Sequence, residues 1–334
     1  MFDGKKILIT GGTGSLGQAL TKRLLQYKVT NIRIFSRNES DQIDMESKFN
    51  DKRLRFLLGD IRDYSRLLRA MEDVDIVFHT AALKHVPKIE YNPFEGIKTN
   101  VLGSQNVIDA CLEQNVERVV AIGTDKAVSP LNTYGATKAL MEKLFMSANN
   151  YVNREKHRTK FITIRYGNVL GSSGSVIPKF IDLIKKNKPV TITDPKMTRF
   201  TITMNEALDF ILNATKIGHG SEIFIPKMKA YDMNTLVKTL SELLGEVKQE
   251  ITGIREGEKL HEALINEDEI RYTWTTNNMY MLTNPHYELF NDHNLLEIYN
   301  DIAKVENIDA YRSDVAEKIT IEELKEKIKA SNLL

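Results

Sequence analysis

The sequence predicts an α/β fold: a doubly wound parallel sheet with a smaller C-terminal α/β substrate lobe. Three features point there. Short β-branched runs alternate with helical patterns in the first half, a glycine-rich turn joins the first run to the first helix, and past about residue 170 the rhythm breaks into shorter segments. The expected strands are Lys6–Thr10, Asn31–Ser36, Leu54–Leu58, Val74–His79, Glu117–Ile122 and Phe161–Arg165, the alternation being the signature of βαβ units. Between them lie Gly17–Gln26 and Gly96–Glu113, where apolar residues recur at three and four and predict helices. Beyond, Pro178, Pro189 and Pro195 punctuate the chain, and helical patterns return at Asn205–Ile217 and Met233–Leu244. Thr320-Ile-Glu-Glu323 has the spacing of a capping box and opens a last amphipathic helix through Ile328. The expected division is residues 1–170 for a nucleotide cofactor and 171–334 for the substrate lobe and final helix, with some strands and helices interleaved.

Composition narrows the function. The 334 residues are 42% hydrophobic and 27% charged with only 8 Pro and 18 Gly, which excludes disordered and collagen-like chains. Forty-six basic against 45 acidic residues give a net charge of +1, so no overall field recruits nucleic acid or an anionic membrane. A lone cysteine, Cys111, excludes an intramolecular disulfide framework and a multi-cysteine zinc site, and suits a reducing compartment; no metal site is expected. The N-terminal apolar run is too short for a signal peptide, and no window reaches about 18 apolar residues, so the expected location is cytoplasmic.

The first strand leads into Thr10-Gly-Gly-Thr-Gly-Ser-Leu-Gly17. A pyrophosphate needs free N–H groups and close backbone approach at a helix N-terminus, which glycine permits. This makes Gly11, Gly12, Thr13, Gly14, Ser15, Leu16 and Gly17 candidate cofactor residues of a Rossmann-type fold, against the plainer reading of a tight βα turn. The Gly-x-x-Gly-x-x-Gly spacing resembles extended short-chain dehydrogenase/reductase proteins. At the end of the second strand stands Ser36-Arg37-Asn38, with no acid at position 36 for a ribose hydroxyl. Arg37 can pair with a 2′-phosphate, which favours NADP over NAD, or is a solvated loop arginine. Asp60, followed by Ile61, would face the adenine edge in such a fold.

After the fifth strand come Thr124-Asp125-Lys126-Ala127 and Tyr134-Gly-Ala-Thr-Lys138. Tyr134 and Lys138, four apart, share one helix face. A tyrosine is a poor base at neutral pH, but a neighbouring ammonium favours its phenolate, so the pair can take a hydroxyl proton while hydride leaves the same carbon. Thr124 would hold the substrate oxygen. Simple dehydrogenation needs neither Asp125 nor Lys126; an acid and a base beside a hydride site suit elimination next to a newly formed ketone. The alternative is a surface Asp-Lys turn.

Together with Ala81-Ala-Leu-Lys-His-Val-Pro87, Arg165-Tyr-Gly-Asn-Val169, Gly174-Ser-Val-Ile-Pro178, Met197-Thr-Arg-Phe200 and Gly253-Ile-Arg-Glu-Gly-Glu-Lys-Leu-His-Glu262, these motifs resemble the family of inverting UDP-N-acetylglucosamine 4,6-dehydratases. The resemblance spans about residues 4 to 265. Lys126 discriminates, since dehydratases that retain configuration at C5 usually carry Asp-Glu there. It implies that Tyr134, helped by Thr124 and Lys138, takes the 4-hydroxyl proton, that Lys126 removes the C5 proton, and that Asp125 protonates the departing 6-hydroxyl. It further implies tightly bound NADP with contacts from Ala81, Lys84 and Asn100. UDP-N-acetylglucosamine would be held by Lys84, Asn168, Val176, Thr193, Arg199 and Arg255. Arg199 and Arg255 are read either as diphosphate ligands or as salt bridges between lobes. Gly123 departs from relatives that more often have serine there, and 267–307 matches nothing with confidence. His85 and His261 are hydrogen-bonding residues before they are catalysts. The resemblance also implies pseudaminic acid-type biosynthesis and a homo-oligomer, with residues 96–113 and 134–150 as the usual dimer faces. Competing readings are a 4,6-dehydratase of a capsule or O-antigen pathway, a C5-retaining dehydratase, a 4-epimerase, and an NADP-sensing binding protein.

Overall fold

The computed structural model describes every residue except 151, 154–155, 173, 277, 286–294, 300 and 307. Strands β1 (Lys6–Thr10), β2 (Asn31–Ser36), β3 (Leu54–Leu58), β4 (Ile76–His79), β5 (Arg118–Ile122) and β6 (Lys160–Ile164) are parallel and lie in the order β3-β2-β1-β4-β5-β6. The chain winds outward from β1 to β3, then crosses back to place β4 on the other side of β1. That reversal opens a crevice beyond the carboxyl ends of β1 and β4, where ligands of doubly wound sheets sit.

Alternation within the strands sends side chains to both faces. Ile7, Ile9, Ile32, Ile34, Ile76 and Phe78 pack on one side with Leu20 and Leu24 of α1 (Ser15–Leu24). Leu8, Phe35, Val77, Val119 and Phe161 face the other core. Helices α2 (Glu39–Phe49) and α3 (Tyr64–Met71) complete the first half; α3 contributes Leu67, Ala70 and Met71 to that second core. Burial of each large aliphatic side chain contributes roughly 1.5–3 kcal/mol, so both faces are needed to hold the sheet.

The segment expected as one helix from 96 to 113 is interrupted. After the short α4 (Val86–Tyr91) and α5 (Pro93–Gly96) it forms a π-helical stretch, Ile97–Leu102, before α6 (Gly103–Glu113). The wider turn carries buried Asn100, which accepts from Leu83 N–H (2.8 Å) and donates to Leu83 C=O (2.9 Å) and Thr137 Oγ1 (3.0 Å). Such bulges cluster at functional sites, and here the side chain pins the loop after β4 to α7 (Thr133–Ala148).

Past residue 170 the elements divide. β7 (Asn168–Val169), β9 (Thr198–Ile202) and β11 (Ala230–Asp232) form a small sheet, and β8 (Val190–Ile192) pairs with β12 (Gln249–Ile251). β10 (Ile223–Pro226) instead joins the main sheet parallel to β6, followed antiparallel by β15 (Met279–Leu282), β14 (Thr273–Thr275) and β16 (Ala303–Lys304); β13 (Ala263–Ile265) pairs with β17 (Tyr311–Arg312). Helix α8 (Val176–Lys185) starts where Pro178 suggested only punctuation: proline in a first helical turn loses no helical hydrogen bond. α9 (Met204–Ile217) returns to the core with α1, whereas α8, α10 (Met233–Leu244) and the final helix Ile321–Ala330 enclose a separate cluster around Phe180, Tyr231 and Leu324. Of the 267–307 segment, residues 277, 286–294, 300 and 307 lie outside the described residues.

One buried ion cluster joins the halves. Arg165, 3% exposed, donates to Glu142 of α7 (2.6 Å), to Glu269 (2.9 Å) and to Leu264 C=O (2.9 Å). Removing one partner of such a cluster leaves a bare buried charge. Arg165→Met is therefore expected to lower unfolding free energy by about 3–5 kcal/mol, read from the urea midpoint; a loss below about 1 kcal/mol would deny the cluster this role.

Candidate active site

The crevice is a cleft of about 650 Å³ running from the β1 turn to the turn after β5. Gly11 takes φ +66°, and a Cβ there would lie 2.8 Å from the Ala81 backbone. A Cβ on Gly17 would lie 2.5 Å from Gly12 C=O. These glycines let the loops after β1 and β4 close on each other and α1 start against the turn. Among the described residues no side chain caps α1, whose first turn has no acid, so its leading N–H groups suit a pyrophosphate. Gly11, Thr13, Gly14, Ser15, Leu16 and Gly17 line the cleft; Gly12 packs instead against Ile34 of β2.

At the end of β2, Ser36, Arg37 and Asn38 line the cleft with Asp60 and Ile61. Asn38 Oδ1 is committed to capping α2, accepting from Ser40 and Asp41 N–H, and Ser36 Oγ accepts from Gln42 (2.9 Å). Arg37 is half exposed, 3.8 Å from Asp60, and Asp60 also binds Arg62 (2.7 Å). Burial opposes ionisation of Asp60, yet hydrogen bonds from Arg62 and the Arg37 charge hold its carboxyl below the usual range. Ala81 and Lys84 complete this end, and burial lowers the Lys84 ammonium. Asn100 does not line the cleft; it acts on the loop.

The other end is built by α7 pressing on the turn Asp125–Ala127. A Cβ on Gly135 would lie 2.2 Å from Lys126 C=O, so only glycine allows this approach. Position 123 is explained in the same way: a Cβ there would lie 2.2 Å from Glu142 Oε1, which fills the space a serine would need. Thr124 Oγ1 donates to Asp125 Oδ1 (3.0 Å) and accepts from Lys126 N–H (3.4 Å), and its hydroxyl favours the Tyr134 phenolate. Burial pushes the Tyr134 phenol up to about 12, partly offset by the charge of Lys126. Lys126 is the cation whose charge lowers the Tyr134 phenol most. Lys138 donates to Ile122 C=O (2.5 Å), and burial pulls its ammonium down to about 8.

Asp125 and Lys126 are in the cleft wall, not on a surface turn. Asp125 is 1% exposed, and burial raises its carboxyl, as does the charge of Glu262, against the pull of Lys126. Lys126 Nζ lies 3.1 Å from Asp125 Oδ1 and 3.3 Å from Glu262 Oε1. Burial disfavours its charge, but the two carboxylates outweigh this and hold the ammonium above its ordinary range. Glu262 is the site residue the sequence reading passed over, although it ends the quoted Gly253–Glu262 motif; Tyr166, which lines the cleft, is another.

Of the expected substrate residues, Lys84 and Asn168 line the cleft. Val176 begins α8, Thr193 Oγ1 meets Met197 Sδ (3.3 Å), and exposed Arg255 lies 3.6 Å from Glu258; none of these lines it. Arg199 does not line the cleft: its guanidinium donates to the carbonyl oxygens of Thr198, Lys259 and Leu260 and sits 3.9 Å from Glu262, joining these segments. His261 Nδ1 meets Thr198 Oγ1 (2.8 Å).

Strand order, glycine turn and the Tyr134–Lys138 helix define a protein of the short-chain dehydrogenase/reductase type. Residues 7–284 match the family model described as "Polysaccharide biosynthesis protein", and the chain belongs to that family. The resemblance read from the motifs is borne out: the chain is 49% identical over 285 residues to a UDP-N-acetylglucosamine 4,6-dehydratase (inverting) of Campylobacter jejuni subsp. jejuni serotype O:23/36, covering 85% of this chain and 84% of the relative. It is also 41% identical to a UDP-glucose 4-epimerase of Rickettsia bellii, over 98% of this chain and 96% of that one. The X-ray structure of Pen from Bacillus thuringiensis superposes with a TM-score of 0.91 at 40% identity, covering 100% of both chains.

Gly11→Ala adds a methyl group where φ is positive and the Ala81 backbone is already in contact. It is expected to weaken binding of a nicotinamide dinucleotide by at least about 100-fold by calorimetry, equivalent to roughly 2.7 kcal/mol; unchanged affinity would remove the turn from the cofactor site.

Proposed function

We propose that the protein catalyses inverting 4,6-dehydration of UDP-N-acetylglucosamine to UDP-2-acetamido-2,6-dideoxy-β-L-arabino-hex-4-ulose with tightly bound NADP. The observation that carries this is the pairing of buried Asp125 with half-buried Lys126 beside Tyr134 in the same cleft; oxidation and return of hydride at one carbon, as in 4-epimerisation, require no such pair. The glycine cradle and Arg37 fit a phosphorylated dinucleotide, held also by Ser36, Asp60, Ile61, Ala81 and Lys138. The nicotinamide, when bound, accepts and returns a hydride.

Tyr134 takes the 4-hydroxyl proton while Thr124 holds that oxygen, and the C4 ketone that results acidifies the C5–H bond. Lys126 removes the C5 proton and Asp125, whose carboxyl burial raises, protonates O6 so that water leaves; the C5–C6 double bond then takes the hydride back at C6 and a proton at C5 on the opposite face, giving the L-arabino 4-ulose. Lys84 and Asn168 hold the sugar nucleotide from the cleft wall. The same reading assigns a place at the first step of pseudaminic acid-type biosynthesis, a cytoplasmic location, and a homo-oligomer supported by exposed Leu102 and Leu140 on the expected helical faces. A 4-epimerase is the second reading, favoured by the near-complete coverage of the Rickettsia relative.

NMR in deuterated water separates them. The proposal expects loss of the 6-hydroxyl, deuterium at C5 and an L-arabino product; a 4-epimer with its 6-hydroxyl intact, unchanged sugar, or retention at C5 would refute the inverting dehydratase. Lys126→Ala is expected to cut dehydration by about 100-fold or more with NADP affinity kept. Arg37→Ala is expected to weaken NADP by about 10–100-fold while leaving NAD affinity in place, the size of a lost charged hydrogen bond; equal affinities before and after would return Arg37 to solvent.

A further inference from the structure

Lys138 is a cation in a place that disfavours one. It is 4% exposed, yet it lines the cleft in which a dinucleotide is expected. Two of the three N–H groups of an ammonium are accounted for, one by Ile122 C=O (2.5 Å) and one by Met141 Sδ (2.9 Å). Neither partner carries a charge, and a thioether is a weak acceptor. Buried charges are ordinarily paired, so the counter-charge has to come from elsewhere.

Glu142 supplies it. This buried carboxylate stands one turn further along α7 on the same helix face. A Cβ on Gly123 would lie 2.2 Å from its Oε1, so the carboxylate borders the strand end whose carbonyl Lys138 binds. Arg165 fixes it there: Nε and Nη2 donate to Oε2 at 3.1 and 2.6 Å. The same guanidinium donates to both oxygens of Glu269, each at 2.9 Å. Two carboxylates thus face one guanidinium, which leaves one negative charge over, and the Lys138 ammonium balances it. In a dry interior, charges one helical turn apart still attract. Burial pulls the Lys138 ammonium down to about 8, and the charge of Glu142 works against that pull. The other titratable groups nearby are Tyr134 from α7, Asp125 and Lys126 from the turn after β5, Tyr166 beyond β6, and His79 from β4, while Glu90 of α4 accepts from Thr133 N–H at the start of α7. His79 is held neutral, lowered to about 3 by burial and by the charge of Lys138.

We propose that Glu142 is the fixed counter-charge that lets Lys138 stand in the cleft as an ammonium and hold the dinucleotide, with Arg165 setting its position and Gly123 leaving it room. This rests on the dinucleotide site of the function proposed above, not on the choice between dehydration and epimerisation. As an ammonium, Lys138 keeps one N–H for an oxygen of the ligand after Ile122 and Met141 are served. As a neutral amine it has two, and both are spent. Glu142 itself does not line the cleft, so it acts through Lys138 as a positioning residue.

The test follows binding of NADPH to the full chain by the fluorescence of the reduced nicotinamide, from about pH 6 to about pH 9.5. For wild type the affinity is expected to be level at low pH and to fall as pH rises through about 8, where Lys138 gives up its proton. The whole fall should be about 10–100-fold, the size of a lost charged hydrogen bond. In Glu142→Gln the same two levels are expected, with the fall at least about one pH unit lower; a structural defect alone would weaken binding equally at every pH. Titration of Lys84 and of the ligand's own phosphate is common to both proteins and leaves the difference between them unaffected. Glu142→Asp keeps the charge and should keep the fall within about half a unit of wild type. In a Lys138→Met background, Glu142→Gln should move nothing. Arg165→Met frees Glu142 of its competing cation, should move the fall to higher pH, and carries the test if the glutamine variant does not fold. A wild type with no fall, an unmoved fall in Glu142→Gln, or one in Arg165→Met that stays in place or moves to lower pH overturns the role of Glu142. Because no sugar nucleotide is present, that failure is distinct from a wild type that leaves UDP-N-acetylglucosamine unchanged, which refutes the dehydratase reading alone.

Discussion

Everything in the cleft depends on how closely α7 presses against the carboxyl end of β5. Helix and strand end meet at distances that exclude a Cβ at Gly123 and at Gly135, and Lys138 reaches the Ile122 carbonyl across the same gap. Glu142, spaced four residues from Lys138 and eight from Tyr134 along one helix face, is clamped by Arg165, so an ion cluster further along that face helps set the position of Tyr134. Interiors packed to crystal density pass on small displacements instead of absorbing them. The pairing of a serine-to-glycine departure at 123 with a carboxylate at 142 is therefore one packing solution, not two independent choices.

The second constraint is electrical. A chain with a net charge of +1 gathers Lys126, Lys259 and Arg199 around Asp125 and Glu262 in a region largely shut off from water. The charges of Lys126, Arg199 and Lys259 hold Glu262 below its ordinary range despite burial, while burial and the charge of Glu262 raise Asp125. The site thus separates two chemically similar acids by environment alone, the usual way one fold supplies both an acid and a base. Arg199 belongs to this field even though its fork is spent on backbone carbonyls.

Much of the fold was legible because parallel strands are written locally: β1 to β6 are short apolar-rich runs, most of them β-branched, and the glycine turn sits where the first one ends. The capping box at Thr320 was equally readable, and the structure forms it with Glu323. What escaped has a common physical cause, namely dependence on contacts between distant segments. Nothing near Asn100 announces a π-helical turn, because the turn exists to let that side chain reach Leu83 and Thr137. The strands β10 and β14–β16, which extend the sheet, carry runs of two to four residues too short for a period to show. Pro178 signals a break only until its place in a first helical turn is known. Arg199 drew attention as a cation fit for phosphate; its chain partners at 259–262 could not be inferred from its own neighbourhood.

The same long-range dependence bears on the choice between dehydration and epimerisation. Epimerisation moves a hydride away from and back to one carbon and places no demand on groups beyond Thr124, Tyr134 and Lys138. A chain serving only that reaction would carry, in buried Asp125 and half-buried Lys126, an ion pair whose desolvation is costly and whose removal as a pair is often neutral or stabilising. Here the pair is retained and is embedded in a third carboxylate, a lysine and an arginine delivered by a separate part of the chain. Such an assembly stabilises the fold poorly relative to apolar packing of the same volume. Its economy is intelligible only where protons must be both given and taken in one closed space, as elimination of water requires.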